Sequence, residues 1–197
     1  MEAPALTDSL PKRILIYGVC GSGKTTAARS LSELTGIPWH EADQLTWDPG
    51  WVMVSDDIQR ERIAEICEKD EWILDTAYGK WIDIPLSRVE LIIGLDYSRG
   101  RTFWQLVKRT IARSIDKKLV CNGNVETLKG MLSRESILIW HYRSFARKRN
   151  RMRKWKSVQT EFDVILFRSP FGLEMWLANQ VLSKSEAFVD EVGPMLG

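Results

Sequence analysis

The sequence predicts an α/β fold in which a mainly parallel sheet is covered by helices on both faces. Two observations support this prediction: short apolar, β-branched runs alternate with helical patterns, and a glycine-rich turn joins the first run to the first helix. The chain has 197 residues, of which 44% are hydrophobic, so it can bury a substantial core. Since no repeat or linker divides the chain, we expect a single domain over residues 1–197.

The turn after the first run is the most specific pattern in the chain. Residues 13–17 have the composition of a buried strand, and residues 18–25 spell Gly-Val-Cys-Gly-Ser-Gly-Lys-Thr. Apolar residues at helical spacing follow from Ala27. This is a G-x-x-x-x-G-K-[S/T] phosphate-binding loop in the strand-to-helix context that the motif requires. Its glycines let consecutive N–H groups point into one concavity at a helix N-terminus, so the motif predicts binding of a nucleoside triphosphate.

The polar residues of this loop have expected tasks. Lys24 can bring a mobile ammonium group to the β- and γ-phosphates, and the Thr25 hydroxyl is a hard oxygen ligand suited to Mg²⁺. The predicted nucleotide-binding set contains loop residues and one cation that follows the last strand: Gly18, Gly21, Ser22, Gly23, Lys24, Thr25, Thr26 and Arg168.

The other elements follow from apolar spacing and turn signals. The first helix runs to about Leu34 and stops at Gly36. A helix starting at Ser55 should bury Ile58, Ile63 and Ile66. Further strands are predicted at 37–41, 72–75, 89–96 and 162–167. Basic helices are predicted at 101–117 and 135–156, a last helix from 170, a tryptophan-rich loop at 45–51, an irregular segment at 81–86 and a turn at 122–124.

Acidic residues stand at the ends of three predicted strands. Asp43 follows the second strand, and Asp75 and Asp96 end the third and fourth. Because the carboxyl ends of parallel strands meet at one edge, we expect these residues near the phosphate-binding loop. Asp75 is predicted to hold Mg²⁺ directly or through water, and Asp43 to anchor or deprotonate the acceptor. The other interpretation is that each acid caps a turn or helix, which we favour for Asp96.

Two arginines share a face of the helix predicted at 101–117. Arg109 and Arg113 are one turn apart, just before a glycine-containing stretch. This arrangement suits a lid over about 110–134 that closes on phosphates, so both arginines join Lys24 and Asp43 in the predicted catalytic set. The alternative is a basic helix that faces solvent.

The loop at 45–51 contains two tryptophans on either side of Pro49-Gly50. Trp47 and Trp51 can stack on a base or sugar, or they can pack a tight turn. The sequence leaves both interpretations open.

A run of eight cations without an acid lies between residues 143 and 156, although the net charge of the chain is only +2. With Trp155 among them, these cations suggest a second class of function, a nucleotide-regulated protein that binds nucleic acid. The other explanation is a helix with an apolar inner side and a basic face in water. Nucleic acid is therefore the less favoured partner.

Composition argues against several other classes. The three cysteines are widely spaced, which predicts neither a disulfide framework nor a metal cluster. The longest apolar runs are too short to span a membrane, and residues 1–10 lack a signal pattern. We expect a cytoplasmic protein.

Three stretches taken together resemble a known family. They are the phosphate-binding loop at 18–25, residues 40–51 (His-Glu-Ala-Asp-Gln-Leu-Thr-Trp-Asp-Pro-Gly-Trp) and residues 72–75. In these stretches the chain is similar to small P-loop kinase-like proteins labelled DNA topology modulation proteins, which are related to adenylate kinases. The D-x-L-x-W-x-P-G-W pattern that starts at Asp43 is the most specific part of the likeness.

The resemblance implies a three-layer P-loop NTPase like the nucleoside monophosphate kinases. Its sheet would have five parallel strands in the order 2-3-1-4-5, with helices on both faces and a helical lid. It implies Mg²⁺ and ATP as ligands, lid arginines at Arg109 and Arg113, and phosphoryl transfer to a small acceptor, with a nucleoside monophosphate as one candidate. The sequence departs from the family pattern at Gln105, where adenylate kinases carry an arginine over the adenine. The monophosphate-binding arginine of such kinases would correspond to Arg29.

Overall fold

The computed structural model describes residues 11–116, 119–125, 137–158 and 160–192. The strands within these residues, in chain order, are β1 (Arg13–Gly18), β2 (Trp39–Glu41), β3 (Trp47–Asp48), β4 (Val52–Met53), β5 (Trp72–Thr76), β6 (Leu91–Leu95), β7 (Leu119–Val120), β8 (Asn124–Val125) and β9 (Asp163–Phe167). The helices within the same residues are α1 (Lys24–Thr35), α2 (Ala42–Thr46), α3 (Asp56–Cys67), α4 (Asp83–Leu86), α5 (Arg99–Asp116), α6 (Ile137–Ser157) and α7 (Pro170–Val192).

Five of the strands form one parallel sheet in the order β2-β5-β1-β6-β9. Strands β3, β4, β7 and β8 do not belong to this sheet, because they form two separate hairpins. When the five parallel strands are numbered in chain order, their spatial order across the sheet is therefore 2-3-1-4-5, as predicted. The loops that follow β1, β2, β5, β6 and β9 all leave the same edge of this sheet, where ligands bind in open α/β folds.

Alternating side chains of the central strand point to two hydrophobic layers, which makes the fold three-layered. Ile14 and Ile16 lie in a cluster with residues of α1 and α7, while Leu15 and Tyr17 lie in a cluster with residues of α3 and α6. All four side chains are fully buried. Because both faces of the sheet are covered, its strands are apolar runs without a polar face.

Two hairpins lie outside the sequence prediction. The loop predicted at 45–51 contains the end of α2 and strand β3, which pairs with β4 directly after the loop, and the turn predicted at 122–124 lies in the antiparallel pair β7–β8. Strands of two residues are too short for an alternating pattern to reveal them. The segment predicted as irregular at 81–86 contains the short helix α4, whose first turn accommodates Pro85.

Two side chains differ from their expected positions near helix starts. Asp96 does not cap α5, because Ser98 occupies that position and its hydroxyl accepts the N–H of Arg101 at 3.4 Å. Ile58 was expected to be buried, but it is 44% exposed, whereas Ile63 and Ile66 are buried as predicted.

Parts of the predicted lid at 110–134 lie outside the described residues, namely 117–118 and 126–134. The same holds for the expected start of the second basic helix at 135–136. In the part of the chain that the structure describes, no helix is long and apolar enough to cross a membrane.

Candidate active site

The phosphate-binding loop connects β1 to α1 and is packed directly against α5. Gly21 and Gly23 have φ angles of 75° and 88°, which favour glycine. A Cβ at Gly21 would collide with the carbonyl oxygen of Thr102 and lie 2.8 Å from the Cβ of Leu106. The loop therefore needs glycine at position 21 both for its backbone angles and for the close approach of α5.

Two polar side chains of the loop make few hydrogen bonds with the described part of the protein. The Nζ atom of Lys24 donates to the carbonyl oxygen of Val19 within the loop at 3.2 Å. The hydroxyl of Ser22 is buried and has no hydrogen-bond partner among the described residues. Buried polar atoms are usually satisfied, so an unpaired hydroxyl at a helix N-terminus is consistent with a site built for an anion.

Asp75 and Thr25 meet beside the loop. Asp75 is the penultimate residue of β5, pairs with Ile16 of β1, is 3% exposed, and lies close enough to the Thr25 hydroxyl for that group to lower its pKa. Its Oδ2 atom has no partner among the described residues. Burial raises the pKa of Asp75 to about 6, although Lys24 and Thr25 oppose the shift. A hydroxyl and an underbonded carboxylate are hard oxygen donors, so this pair fits Mg²⁺.

Asp43 belongs to a hydrogen-bonded group centred on Tyr78. The Tyr78 hydroxyl accepts hydrogen bonds from Thr46 Oγ1 at 3.1 Å and Trp47 Nε1 at 2.9 Å, and Thr46 Oγ1 also lies 3.3 Å from the carbonyl oxygen of Asp43. Burial, together with the charge of Asp43, raises the pKa of Tyr78. The hydroxyl of Tyr78 therefore stays protonated beside Asp43.

Glu41 is a third carboxylate of the site, and sequence reasoning missed it. It lies opposite Asp75 in the pairing of β2 with β5 and accepts a hydrogen bond from Gln44 Nε2 at 2.9 Å. Burial and the charge of Asp43 raise the pKa of Glu41, while Arg113 and Arg109 lower it. The predicted catalytic arginines therefore lie close enough to the acids at the β2 end to act on them electrostatically. The signal available in the sequence was the E-x-D pattern of residues 41–43.

The basic helix α6 faces the site rather than only the solvent. Lys148 is 4% exposed, and its pKa is lowered by burial and by the neighbouring charge of Lys24. The thiol of Cys20 and the carboxylate of Asp43 act in the opposite direction. Arg151 donates from Nη1 to the Tyr17 hydroxyl at 3.3 Å, at the end of β1. The sequence did not identify Lys148 and Arg151 as site residues, because the eight cations of the run are spread around the whole circumference of the helix. Their spacing therefore does not show which of them face the site.

A second pair of cations fixes α6 to the sheet. Arg149 Nε lies 2.6 Å from Asp96 Oδ1, and Arg153 Nη2 lies 2.8 Å from Asp96 Oδ2. Arg149 and Arg153 are one turn apart, so both reach the same carboxylate at the end of β6. Trp155, which lies among the cations of the run, packs edge-on against Tyr17 with 4.9 Å between ring centroids.

The β7–β8 hairpin contacts the β3–β4 hairpin and the end of α2 through two asparagines. Asn122, in the β7–β8 turn, donates to the carbonyl oxygens of Gln44 at 2.7 Å and Trp47 at 2.8 Å. Asn124 accepts the N–H of Trp51 at 2.7 Å and donates to the carbonyl oxygen of Asp48 at 3.0 Å. The described part of the predicted lid therefore covers the segment that follows β2.

The remaining predicted residues lie at the same sheet edge. Gly18 ends β1, and a Cβ there would come within 2.6 Å of the Ser22 hydroxyl. Thr26 is exposed in the first turn of α1, and Arg168 is exposed immediately after β9. The structure therefore brings Lys24, Thr25, Asp75 and Asp43 together, while Arg168 lies farther along the edge.

Comparison with known proteins agrees with this fold. Residues 14–85 match the family model of an AAA domain, which covers the loop and the acids but less than half of the chain. Comparison with curated proteins gives no match.

Solved structures resemble the whole chain. A gluconokinase from Sinorhizobium meliloti 1021 aligns with a TM-score of 0.51 and 15% identity, over 95% of this chain and 98% of that chain. A shikimate kinase from Acinetobacter baumannii in complex with shikimate aligns with a TM-score of 0.52 and 18% identity, over 91% and 96%. A shikimate kinase from Bacteroides thetaiotaomicron gives 0.51 and 13%, over 91% and 99%. The chain has the fold of the P-loop kinases.

Proposed function

We propose that the protein is an ATP-dependent phosphotransferase that moves the γ-phosphoryl group to a small acceptor. The observation that carries the proposal is the meeting of Asp75, Thr25 and Lys24 at the phosphate-binding loop, with Asp43 beside them. A loop that only binds phosphates does not need a second carboxylate, such as Asp43, at the end of the neighbouring strand. Phosphoryl transfer needs one group for the metal and another for the acceptor.

Phosphate binding in this proposal is the task of the loop. Backbone N–H groups of residues 18–25, with Lys24, hold the β- and γ-phosphates. Thr25 and Asp75 hold Mg²⁺, which neutralises charge on the phosphates when it is bound. Ser22 and Thr26 add hydroxyls at the N-terminus of α1, and Arg168 serves the nucleotide from the end of β9.

The transfer step is an in-line displacement. An acceptor hydroxyl oxygen forms a bond to the γ-phosphorus, the bond from phosphorus to the bridging oxygen breaks, and ADP leaves with the electron pair. Asp43 orients the hydroxyl and takes its proton. Tyr78 supports this role because its buried hydroxyl lies close enough to the Asp43 carboxylate for that charge to raise the pKa of Tyr78.

Cations from two helices stabilise the γ-phosphoryl group during its transfer. Arg109 and Arg113 of α5 carry the charge proposed from the sequence, and their electrostatic effect on Glu41 supports a position near the acceptor. Lys148 and Arg151 of α6 join them, on the support of their burial and contacts beside the loop. Fixed positive charge around a transferring phosphoryl group stabilises its transition state.

The proposal also concerns the chemical class of the acceptor. The names of the structural neighbours, a gluconokinase and two shikimate kinases, support a small molecule as the acceptor. The resemblance to proteins labelled DNA topology modulation proteins, which are related to adenylate kinases, makes a nucleoside monophosphate another candidate. Nucleic acid stays the less favoured alternative partner, and four of the eight cations in the run contact Asp96 or the site.

The test is ADP release with Mg²⁺·ATP, alone and with a panel of nucleoside monophosphates, nucleosides, sugars and sugar acids. Transfer of label from γ-labelled ATP identifies the phosphorylated acceptor. Lys24→Ala is the blank, and its thermal unfolding checks that it is folded. The proposal predicts one acceptor class that raises ADP release well above the ATP-only rate and gains label. Bound ATP with no labelled acceptor from any class would overturn it.

A further inference from the structure

We propose that His141 of α6, with its proton on Nε2, is a positioning residue for the phosphate-binding loop. It fixes Thr102 of α5, and the backbone of Thr102 lies directly against Gly21 of the loop. This role rests on the proposed function, because its readout is the affinity for Mg²⁺·ATP. It adds to the same site a residue that the candidate active site described above does not include.

The phosphate-binding loop and α5 touch through their main chains. A Cβ at Gly21 would collide with the carbonyl oxygen of Thr102 and come within 3.0 Å of the backbone nitrogen of Leu106. Because these are main-chain contacts, no flexible side chain can absorb a displacement, and close-packed interiors transmit small shifts. The positions of Thr102 and Leu106 therefore determine where the loop backbone lies at Gly21.

The Thr102 hydroxyl is the point at which a side chain of α6 reaches α5. Its Oγ1 atom lies 2.9 Å from Nε2 of His141, 3.3 Å from the carbonyl oxygen of Ser98 and 3.2 Å from that of Arg99. A carbonyl oxygen can only accept, so the single hydrogen of the hydroxyl is directed to these two carbonyls. Nε2 of His141 must then donate to Oγ1. Since a neutral imidazole has one N–H group, Nδ1 carries no proton.

The surroundings of His141 keep its ring neutral. The residue is fully buried, and its ring contacts those of Phe103 and Phe145 with centroid distances of 5.7 Å and 5.6 Å. Burial, together with the charges of Lys148 and Arg99, lowers the pKa of His141 to about 4. At neutral pH the ring therefore has one N–H group, and this group is used by Thr102.

Packing alone does not account for a histidine at this position. The Nδ1 atom of His141 is buried and has no hydrogen-bond partner among the described residues. A buried acceptor without a partner lowers stability, and an apolar side chain of similar size would fill the space without this cost. What such a side chain cannot supply is the hydrogen bond to Thr102.

The hydrogen bond of His141 is a second attachment of α6 beside the candidate active site. His141 and Lys148 lie two turns apart on the buried side of the helix. Arg149 and Arg153 attach the C-terminal half of α6 to the end of β6. The bond to Thr102 connects the N-terminal half to the helix that supports the loop. Its loss should displace Thr102 and, with it, the loop N–H groups that bind phosphate.

Two substitutions of His141 separate the hydrogen bond from packing. Glutamine has an N–H donor the same number of bonds from the backbone as Nε2 of histidine, whereas leucine fills the space without a donor. Isothermal titration calorimetry measures the Kd of Mg²⁺·ATP, and thermal unfolding checks that each protein is folded. We expect His141→Leu to raise this Kd at least tenfold and His141→Gln to stay within about threefold of wild type. Wild-type affinity in folded His141→Leu, or equal losses in both variants, would overturn the proposal.

Thr102→Val tests whether His141 acts through Thr102. Valine keeps the shape of threonine but has no oxygen to accept the N–H of His141. Thr102→Val should therefore raise the Kd of Mg²⁺·ATP as His141→Leu does, and the double variant should be no weaker than either single variant, because both break the same bond. Effects that multiply would contradict this route. Ser144→Ala is the matched control, since Ser144 is buried on the same side of α6 and its hydroxyl has no partner among the described residues.

Nitrogen-15 NMR of the imidazole rings tests the position of the proton in the wild-type protein. At pH 7 the signals of His141 should show a protonated Nε2 and an unprotonated Nδ1. The chain has two histidines, so the spectrum of His141→Gln assigns the signals. A proton on Nδ1 would overturn the proposal without any change of stability or activity.

Steady-state kinetics separate this proposal from the proposed function. Where an acceptor is labelled, His141→Leu should raise KM for Mg²⁺·ATP and leave KM for the acceptor unchanged, whereas a partly unfolded preparation would lower kcat alone. If the Kd values follow the prediction and no acceptor is labelled, the positioning role stands and the phosphotransferase falls. If an acceptor is labelled and folded His141→Leu binds ATP as wild type does, the phosphotransferase stands and the positioning role falls.

Discussion

The Nε atom of Arg149 donates to the Oδ1 atom of Asp96 at 2.6 Å, which ties the basic helix α6 to the carboxyl end of β6. The Asp96 side chain is 2% exposed, and Arg153 contacts its other oxygen. This anchor fixes the rotation of α6 about its axis. As a result, Lys148 and Arg151 face the phosphate-binding loop, and half of the basic run is explained by the structure.

The double variant Arg149→Ala/Arg153→Ala should be strongly destabilised. It leaves the Asp96 carboxylate buried without a partner, which typically costs about 3–5 kcal/mol. The free energy of unfolding from urea denaturation measures the effect. Lys154→Ala/Lys156→Ala removes two exposed cations from the same helix and should change it by about 0.5 kcal/mol or less. Equal losses in both double variants would contradict the anchoring role.

Lys148→Met should impair transfer while the protein stays folded. Methionine keeps the length of the buried side chain but removes the charge beside Lys24 and Asp43. Removal of one stabilising group from a polar active site typically lowers kcat on the order of 10²-fold. Lys154→Met, exposed on the same helix, is the control in the steady-state assay. An unaltered kcat would remove Lys148 from the catalytic set.

Gly79→Ala tests Arg151 without touching it. A Cβ at position 79 would collide with the Nη1 atom of Arg151, the far end of a flexible side chain, so the guanidinium must move. We expect kcat to fall about tenfold, as for one misplaced charged group, with little change in thermal stability. Gly100→Ala, where a Cβ meets nothing within 4 Å, is the matched control. If kcat survives in Gly79→Ala, Arg151 does not act on the reaction.

Whether a feature of the site could be predicted from the sequence depends on how far apart its residues lie along the chain. The phosphate-binding loop was predictable because its signal is local and the flanking strand and helix confirm its context. The pairing of Thr25 with Asp75 followed from parallel-sheet topology, since both lie at the same strand edge.

Long-range contacts and very short elements escaped prediction. Asp96 was expected to cap the next helix, but its partners Arg149 and Arg153 lie 53 and 57 residues away, where sequence spacing carries no information. The hydrogen bonds of Tyr78 to Thr46 and Trp47 are similarly remote. The β3–β4 pair has strands of two residues, too short for any periodicity.

Asp75 should make stability depend on pH in the protein without nucleotide. Its native pKa of about 6 lies above the ordinary value of 3.8, so the native state binds more protons between these values. Stability therefore falls as pH rises through this window. Asp75→Asn should be more stable than wild type at pH 7, on the order of 1–3 kcal/mol, with the difference vanishing below about pH 4. Urea denaturation across pH 4–7 measures it, and a constant difference would be the contrary result.

Label transfer by Asp43→Asn, measured together with ATP affinity on the same preparation, tests most directly whether Asp43 serves the acceptor. Asparagine keeps the size of the side chain but cannot accept the proton of an acceptor hydroxyl. We expect unchanged Mg²⁺·ATP binding and a loss of transfer on the order of 10²-fold or more. Transfer at the wild-type rate to every accepted substrate would contradict the assignment of the β2 end as the acceptor site.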